Sequence, residues 1–415
     1  MRFGIFYEHQ MAKPWERDTE HTLFKNALEQ IELADKLGIQ YVWEVEHHFL
    51  EEYSHSSAPE VFLAAASQRT KSIRLGHGVC LMPPGYNHPA RVAERIATLD
   101  IVSDGRVEWG TGESSSEAEL AGFGVTRADK RRMWAEGTHV AARLLAETPF
   151  AGWEGDYVQM PQRNLVPKPL QKPHPPIWVA CSRRETIHMA ASRGIGAMSF
   201  SFIEPEEARP WVADYYRIIE EECDPIGFST NPNLLITLPF MCAPSEEEAI
   251  DRGLDGGHFF GYSLGHHYVF GAHQPAKTDI WAEFLERREN LGFSRTVAAR
   301  QGEQLGAQLF EQGLGSLRGA IGTPDQIRNL LRRYEDAGVD QAVFVSQAGR
   351  NRHEDICESM ELFAAKVLPE FVERDEAGAA ARAARAARIA EKAAARLPRV
   401  RPADPAYTIH AAGQA

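Results

Sequence analysis

The chain has 415 residues, of which 43% are hydrophobic and 25% are charged, a composition typical of a globular protein with an ample core. It contains no apolar run of the ~18 residues that a membrane-spanning helix needs, and its first ten residues lack the pattern of a secretion signal. A net charge of −13 argues against nucleic acid as a partner, and five scattered cysteines predict reduced thiols in a cytoplasmic protein.

Short β-rich runs alternate with helical stretches over the first 375 residues. The runs predict eight strands, at 3–7, 41–45, 73–81, 106–110, 176–181, 197–203, 234–242 and 341–346. Apolar periodicity and helix-end signals predict helices at 22–38, 59–70, 89–103, 130–146, 185–193, 206–223, 324–337 and 355–372. Eight strands that alternate with helices predict an α/β fold, the (β/α)8 TIM barrel, rather than an open doubly wound sheet.

The chain is longer than a barrel requires, since about 250 residues suffice for that fold. The largest excess is 246–318, which is rich in glycine, histidine and aromatic residues without periodicity. This composition predicts a long loop after strand seven that lies over the active site. Phe259, Phe260, Tyr262 and Phe270 are its candidate lid residues.

The chain changes character after Glu376. Seven basic and two acidic residues follow, a net charge of +5 against about −18 for the preceding residues. Basic residues recur every three or four positions from Arg382 to Arg396, which places them on one face of an Ala-rich helix. Because this helix lacks a large apolar stripe, we expect a barrel domain at 1–375 and a solvated helical extension with a disordered tail at 376–415. A docking arm for an acidic partner or a neighbouring subunit is the alternative.

The end of strand two, WEVEHHF, carries the most informative side chains. Active sites of barrels lie at the C-terminal ends of the strands, so Glu46, His47 and His48 are expected at that rim. Adjacent histidines on an extended chain point to opposite sides, and no His-Glu-x-x-His follows, so we predict no metal site. A proton-transfer histidine is favoured because imidazole titrates near neutral pH, with purely structural histidines as the alternative.

Strands three and four end in glycine-containing turns. Gly76 and Gly78 permit a flat ligand to approach the backbone closely, or mark a bulge. After strand four, Ser116 and Glu119 have the spacing of a capping box. No G-x-G-x-x-G fingerprint occurs in the sequence, which argues against a Rossmann domain.

Strand five ends in ACSRRETIH. The hydroxyls of Ser182 and Thr186, the guanidinium groups of Arg183 and Arg184, and the amides at a helix start predict a phosphate-binding cup. The alternative is a capped helix with solvated arginines.

Four segments occur together in one order: WEVEHHF at 43–49, LDIVSDGRVEWGTG at 99–112, IGTPDQI at 321–327 and VDQAVFVSQAGRNRHEDICESMELFAAKVLPEF at 339–371. With them the chain resembles the bacterial luciferase-like flavin-dependent monooxygenase family over nearly all of residues 1–373. The resemblance implies a (β/α)8 barrel with an insertion after strand seven, reduced FMN or in one branch a deazaflavin coenzyme, and a homodimer.

The resemblance also assigns roles to residues. It implies that His47 is the acid/base group near the flavin, with His48 as a second catalytic residue and Glu46 beside them. Its implied cofactor-binding residues are Glu46, Gly78, Val79, Gly112, Arg132, Ser182, Arg183 and Thr186, with a non-proline cis peptide often found in the family at the position of the Gly78–Val79 link. Glu113 departs from the pattern, since many relatives have a phosphate-binding arginine there, and Arg183 or Arg184 is the candidate to compensate. Gly112 replaces the reactive cysteine of true luciferases, so bioluminescence is not implied.

The activity implied by the resemblance is that of a two-component monooxygenase. A separate flavin reductase would supply reduced FMN, which reacts with O2 to a flavin 4a-hydroperoxide and oxygenates a small organic substrate, with His47 moving the proton. The alternatives are a deazaflavin-dependent dehydrogenase, a non-catalytic partner subunit of a luciferase-like heterodimer and, ranked last, a metal-dependent barrel hydrolase.

Overall fold

The barrel strands are consecutive in sequence and in space. The computed structural model describes residues 1–200, 203–293, 295 and 318–411. The strands are β1 Arg2–Tyr7, β2 Tyr41–Glu44, β3 Arg74–His77, β4 Val107–Gly112, β5 Ile177–Cys181, β6 Gly196–Ser199, β7 Leu234–Cys242 and β8 Gln341–Val345. Each pairs in parallel with the next, and β8 pairs with β1, which closes the sheet. The predicted (β/α)8 TIM barrel is confirmed. The predicted strand 197–203 includes positions 201–202, which lie outside the described residues.

Helices surround this barrel. They span Thr19–Leu37, Pro59–Ser67, Pro89–Val102, Glu117–Gly122, Lys130–Ala146, Arg184–Ser192, Pro205–Glu221, Glu246–Gly265, Ile280–Arg287, Pro324–Asp336, His353–Lys366 and Leu368–Ala393. Short elements add a two-residue strand Cys80–Leu81 after β3, a hairpin of Trp153–Glu154 with Gln159–Met160, a π-helical turn His266–Phe270, a strand Ala320–Gly322 and a 3₁₀ turn Ala394–Arg396. No helix in the described part of the chain is both long and apolar enough to cross a membrane. The five cysteines are all unpaired, as predicted.

The barrel strands are apolar on both faces because helices cover the outer face and side chains fill the interior. Every residue of β7 and β8 is buried. The interior is filled by large side chains, among them Phe6, Trp43, Trp178, Met198, Leu235 and Val343. Some strand positions carry buried polar side chains, such as Glu44 of β2 and Glu108 of β4, and further polar residues follow the strands.

The insertion after β7 begins with a helix, Glu246–Gly265, and the expectation of a loop fails there. Its glycines provide the physical reason. A Cβ on Gly253 would lie 2.4 Å from Cβ of Met241, and one on Gly256 would lie 2.2 Å from Oδ1 of Asn351. The glycines that suggest a loop in the sequence instead allow this helix to lie close against the barrel. Residues 294 and 296–317 of the predicted loop lie outside the described residues.

The C-terminal helix Leu368–Ala393 runs without a break through the boundary predicted at 375/376. It is not a solvated extension, because Ile389 and Ala393 are fully buried. Its basic residues bind acidic side chains of the barrel. Arg388 and Lys392 contact Glu220 at 2.8 and 2.7 Å, and Arg385 contacts Asp340 at 3.0 Å.

The tail after this helix also contacts the barrel domain. The Arg401 guanidinium lies 4.5 Å from the ring centre of Trp153, and the amide of Asp404 donates to Gln162 at 2.8 Å. Segment 397–411 therefore follows the surface of the domain over part of its length, whereas a disordered tail was expected. The partner of the basic face is the same chain.

Candidate functional site

His47 follows β2 at the rim of the barrel and lies between two buried carboxylates. Its Nδ1 is 2.9 Å from Oε1 of Glu119, and its Nε2 is 3.7 Å from Oε2 of Glu8. Burial lowers the pKa of His47, but Glu119 and Glu8 outweigh it and raise that pKa to about 9. The imidazole is therefore held in its protonated form at neutral pH.

Glu119 is the residue that orients His47. It is fully buried and accepts hydrogen bonds from Nδ1 of His47, the backbone amide of His48 at 2.9 Å and the hydroxyl of Ser114 at 2.6 Å. Burial raises the pKa of Glu119, but the charge of His47 and the three hydrogen bonds outweigh burial and lower the pKa overall, so the carboxylate is ionised.

Sequence reasoning assigned Glu119 to a capping box with Ser116, and that interpretation is wrong. The helix Glu117–Gly122 has no side-chain cap, and the Ser116 hydroxyl has no hydrogen-bond partner in the described part of the chain. Glu119 turns away from the helix start because a histidine and two other donors lie on its other side.

Glu8 follows β1 and differs from Glu119 in its surroundings. It is 2% exposed, its Oε1 accepts from the hydroxyl of Tyr53 at 2.9 Å, and its Oε2 has no hydrogen-bond partner among the described residues. Burial raises the pKa of Glu8 to about 7, although His47 and Tyr53 act in the opposite direction.

The π-helical turn of the insertion reaches this rim. Its Tyr268 hydroxyl lies 3.5 Å from Nδ1 of His47, and Phe260 from the preceding helix packs 5.8 Å from the ring of Tyr53. Phe259 and Tyr262, which were expected in the lid, instead pack against the helix Ile280–Arg287.

Phe270 packs against Tyr262 within the insertion and is 36% exposed, so it too lies away from His47. Tyr268 was missed in the sequence, where it stands in an aperiodic stretch.

His48 points to the opposite side of the chain from His47, as an extended segment requires. Its Nε2 lies 3.2 Å from Oε1 of Glu46, and its ring contacts Phe123. Glu46 is itself held by the amide of Leu81 at 2.7 Å and the side chain of Asn87 at 2.8 Å. Glu46 therefore connects the ends of β2 and β3, and both of its oxygens are engaged by the protein.

Close packing against neighbouring side chains explains the glycines Gly76 and Gly112. A Cβ on Gly76 would lie 2.2 Å from the Trp43 ring, and one on Gly112 would lie 2.6 Å from Cγ2 of Val79. In the described chain all cis peptide bonds precede proline. The Gly78–Val79 link is therefore trans, whereas the resemblance led us to expect a cis bond. The amide of Gly78 donates to the Glu44 carbonyl at 2.6 Å, which ties this segment to β2.

A second group of charges follows β4. The Glu113 carboxylate accepts two hydrogen bonds from Arg131, at 3.0 and 2.9 Å, and lies 3.3 Å from Nζ of Lys130. Burial raises the pKa of Glu113, but these cations outweigh it and lower the pKa overall. The next residue, Ser114, has a φ of +60°, a left-handed conformation that is uncommon outside glycine. This turn connects Glu113, which faces the cations, to Ser114, which donates to Glu119.

Arg131 also lies near the end of β5. Its charge lowers the pKa of the Cys181 thiol, although burial dominates and raises that pKa to about 12. Ser182 and Arg183 follow, and both are exposed. Within the described chain neither the Ser182 hydroxyl nor the Arg183 guanidinium has a hydrogen-bonding or ionic partner among the side chains. Their polar groups are available to a ligand.

Three other expected phosphate groups are engaged elsewhere. The Thr186 hydroxyl donates to the Arg183 carbonyl at 2.6 Å and so caps its own helix. Arg132 is 62% exposed and binds Asp156 of the hairpin. Arg184 pairs with Asp214. Ser182 and Arg183 therefore remain unengaged after β5, whereas Arg131 and Lys130 are held by Glu113 and would have to exchange that carboxylate for a phosphate.

These residues fit a planar cofactor that carries a phosphate. The aromatic rings of Tyr53 and Tyr268 lie beside His47, which suits a planar ring system, and the cations and free hydroxyl after β4 and β5 suit an anion. The described residues contain no group of three histidine, cysteine or acidic side chains that is placed to hold a metal ion.

Comparison with known proteins gives consistent matches. A family model described as luciferase-like monooxygenase matches residues 1–341. The oxygenase component of the flavin-dependent trigonelline monooxygenase of Acinetobacter baylyi is 27% identical over 385 residues, which cover 90% of this chain and 96% of that protein. The crystal structure of monooxygenase RslO1 from Streptomyces bottropensis is 26% identical with a TM-score of 0.69, covering 89% of this chain and 100% of that one. An F420-dependent secondary alcohol dehydrogenase shares the fold, at 16% identity and a TM-score of 0.63, over 88% of this chain and 98% of its own.

Proposed function

We propose that this chain, which belongs to the luciferase-like monooxygenase family, is the oxygenase component of a two-component monooxygenase. It would use reduced FMN, supplied by a separate reductase, and O2 to oxygenate a small organic substrate. The similarity to the trigonelline monooxygenase component supports this proposal, because that protein is named as one component of such a system and matches this chain over 90% of its length.

The observation that carries the proposal is the position of His47 at the barrel rim, where Glu119 lies 2.9 Å from Nδ1 and orients the imidazole. Reduced FMN, when bound, supplies the electrons that activate oxygen. The part of this chain is to hold and move a proton at Nε2 of His47, the ring nitrogen that Glu119 leaves free.

The remaining residues would bind the cofactor and exclude water. Arg131, Lys130 and Ser182 are the groups we assign to the phosphate, because the two cations contact Glu113 after β4, Ser182 follows β5, and all three can donate to an anion. Tyr268 and Phe260 of the insertion would cover the site beside His47 and keep water away from the reacting atoms.

The experiment is to incubate the pure protein with FMN, NADH or NADPH, O2 and candidate substrates and to follow absorbance at 340 nm. We expect negligible nicotinamide oxidation by the protein alone and product formation once a flavin reductase supplies reduced FMN. His47→Gln is the matched control, which should bind reduced FMN but form little product.

Two results would overturn this proposal. Rapid nicotinamide oxidation without a reductase would indicate a self-sufficient oxidoreductase. Hydride transfer with a reduced deazaflavin, with no uptake of oxygen, would favour the dehydrogenase alternative that shares the fold. We also propose a homodimer, which a sizing measurement in solution tests.

A further inference from the structure

Glu8 is a buried carboxylate at the rim for which the proposed function provides no role. It stands 39 positions from His47 in the sequence, yet its Oε2 is the acidic oxygen that faces Nε2 of His47, at 3.7 Å. Only one of its two carboxylate oxygens has a hydrogen-bond donor in the described chain, the Tyr53 hydroxyl at 2.9 Å.

An unpaired carboxylate oxygen in such a place is costly. A buried charge is stable only where hydrogen bonds or an opposite charge compensate its lost hydration. The backbone of the Glu8 region is fixed by the Ser54 hydroxyl, which donates to the Glu8 carbonyl at 2.8 Å, so the side chain is held at the rim. The nearest cation is the imidazolium of His47.

The two carboxylates beside His47 differ in their chemistry. Glu119 has three donors and stays ionised, whereas Glu8 has one, and burial raises its pKa to about 7. Paired groups whose surroundings separate their pKa values are suited to different tasks in proton transfer. Glu119 fixes the ring through Nδ1, and Glu8 faces the nitrogen that exchanges the proton.

We propose that Glu8 is a positioning residue for proton transfer, which acts by holding the proton of His47 on Nε2. This inference rests on the proposed function for its catalytic meaning, but its physical claim concerns the two side chains alone. When Nε2 takes up a proton from a reacting group, the imidazolium gains the attraction of Glu8, and when Nε2 gives the proton up that attraction is lost. No further reactant is required.

Other titratable groups face Glu8 from the surrounding elements. They are Glu44 of β2, Tyr53 of the loop after it and Tyr268 of the π-helical turn, whereas Glu119 of the helix Glu117–Gly122 faces His47. Tyr53 and Tyr268 stay neutral because burial raises their pKa well above the ordinary value. Glu44 lies 2.9 Å from Nε2 of His9, which gives it a partner of its own.

The test is an NMR titration of the His47 ring in the full-length protein with labelled histidine and no added cofactor. His47→Gln assigns the resonance. In the wild type we expect a main step near pH 9 and a smaller response near pH 7, when Glu8 ionises. Glu8→Gln keeps the shape of the side chain and removes its charge, so the main step should move down by about one pH unit or more.

Glu136→Gln is the matched control. It removes a carboxylate that binds Trp153 and the hairpin amides, so it changes the net charge equally but should leave the His47 step in place. An unchanged His47 step in folded Glu8→Gln overturns the proposal, since a structural role alone would lower the melting temperature and nothing else. If Glu8→Gln does not fold, the wild-type NMR titration still tests the proposal. A His47 titration curve that shows no response near pH 7 would overturn the proposal.

A measurement of activity against pH separates this inference from the proposed function. With reduced FMN and a substrate, the limb of the pH profile that reports His47 should shift in Glu8→Gln by the same amount as the NMR step. A wild-type protein that oxygenates nothing would refute the proposed function, whereas the NMR titration would still test Glu8.

Discussion

Two neighbouring arginines, Arg131 and Arg132, provide a sharp test of the phosphate site. The resemblance assigns the phosphate to Arg132, but this side chain points to Asp156 and is 62% exposed. Arg131 instead donates two hydrogen bonds to Glu113, the residue that follows β4. We therefore expect Arg131→Ala to weaken FMN binding and Arg132→Ala to leave it nearly unchanged.

The magnitude follows from the exchange of partners. A hydrogen bond to a charged group contributes roughly 1.5–3 kcal/mol, but Arg131 is 45% exposed and must first release Glu113. A net loss of about 1.4 kcal/mol corresponds to about tenfold in the dissociation constant. Glu113→Gln should act in the opposite sense, since it frees Arg131 and Lys130 and removes a negative charge from beside the phosphate. We expect FMN binding to become about tenfold tighter.

The assay is a binding titration of each variant with FMN and with riboflavin, which lacks the phosphate. Riboflavin affinity should be nearly the same in all variants, and Glu117→Gln, which removes an exposed carboxylate paired with Arg127, serves as the control. The reasoning is refuted if Arg132→Ala weakens FMN more than Arg131→Ala does, or if Glu113→Gln weakens it. Equal changes for FMN and riboflavin would show that the residues act on the fold rather than on the phosphate.

Two further predictions concern stability. Truncation after Glu376 should lower the free energy of unfolding, measured by denaturant titration, by about 3 kcal/mol or more. The truncation exposes the apolar surface that Ile389 covers, and it leaves Asp340, which is 5% exposed, without Arg385. An unchanged denaturation midpoint would mean that the helix contributes nothing to stability. Because the pKa of His47 is raised to about 9, its contribution to stability is complete below about pH 6.5 and is lost as the pH rises through 9. Stability should therefore fall across this range less steeply in His47→Gln than in the wild type, and identical slopes would contradict the raised pKa.

The barrel was predictable because local patterns determine it. Strands buried on both faces are short apolar runs, as in β7, where every residue is buried, and the helices between them show the apolar period of one covered face. The insertion and the C-terminal helix were mispredicted for tertiary reasons. In the sequence Gly253 suggests a loop, but in the structure it allows the helix to pack against Met241. The Ala/Arg helix suggests a solvated segment, but its basic face binds Glu220.

The histidines of the site were predictable, but the carboxylates around them were not. His47 stands in a motif at a strand end, and the barrel rule places strand ends at one rim. Glu8 and Glu119 lie 39 and 72 positions away from it, and Glu119 has the spacing of a helix cap. Only the closed sheet, in which β1 lies beside β2, brings Glu8 to face the ring.

A sequence motif does not determine which of the two neighbouring side chains, Arg131 or Arg132, faces the barrel rim. One step along a helix turns the side chain by about 100°, so adjacent arginines in the helix Lys130–Ala146 face different neighbours. Arg131 faces Glu113 at the rim, whereas Arg132 faces the hairpin. By the resemblance, Glu113 stands where many relatives have an arginine, and a half-buried acid of this kind is stabilised by a cation nearby. That cation is Arg131, and its ion pair with Glu113 is the reason why we propose Arg131 rather than Arg132 for the phosphate.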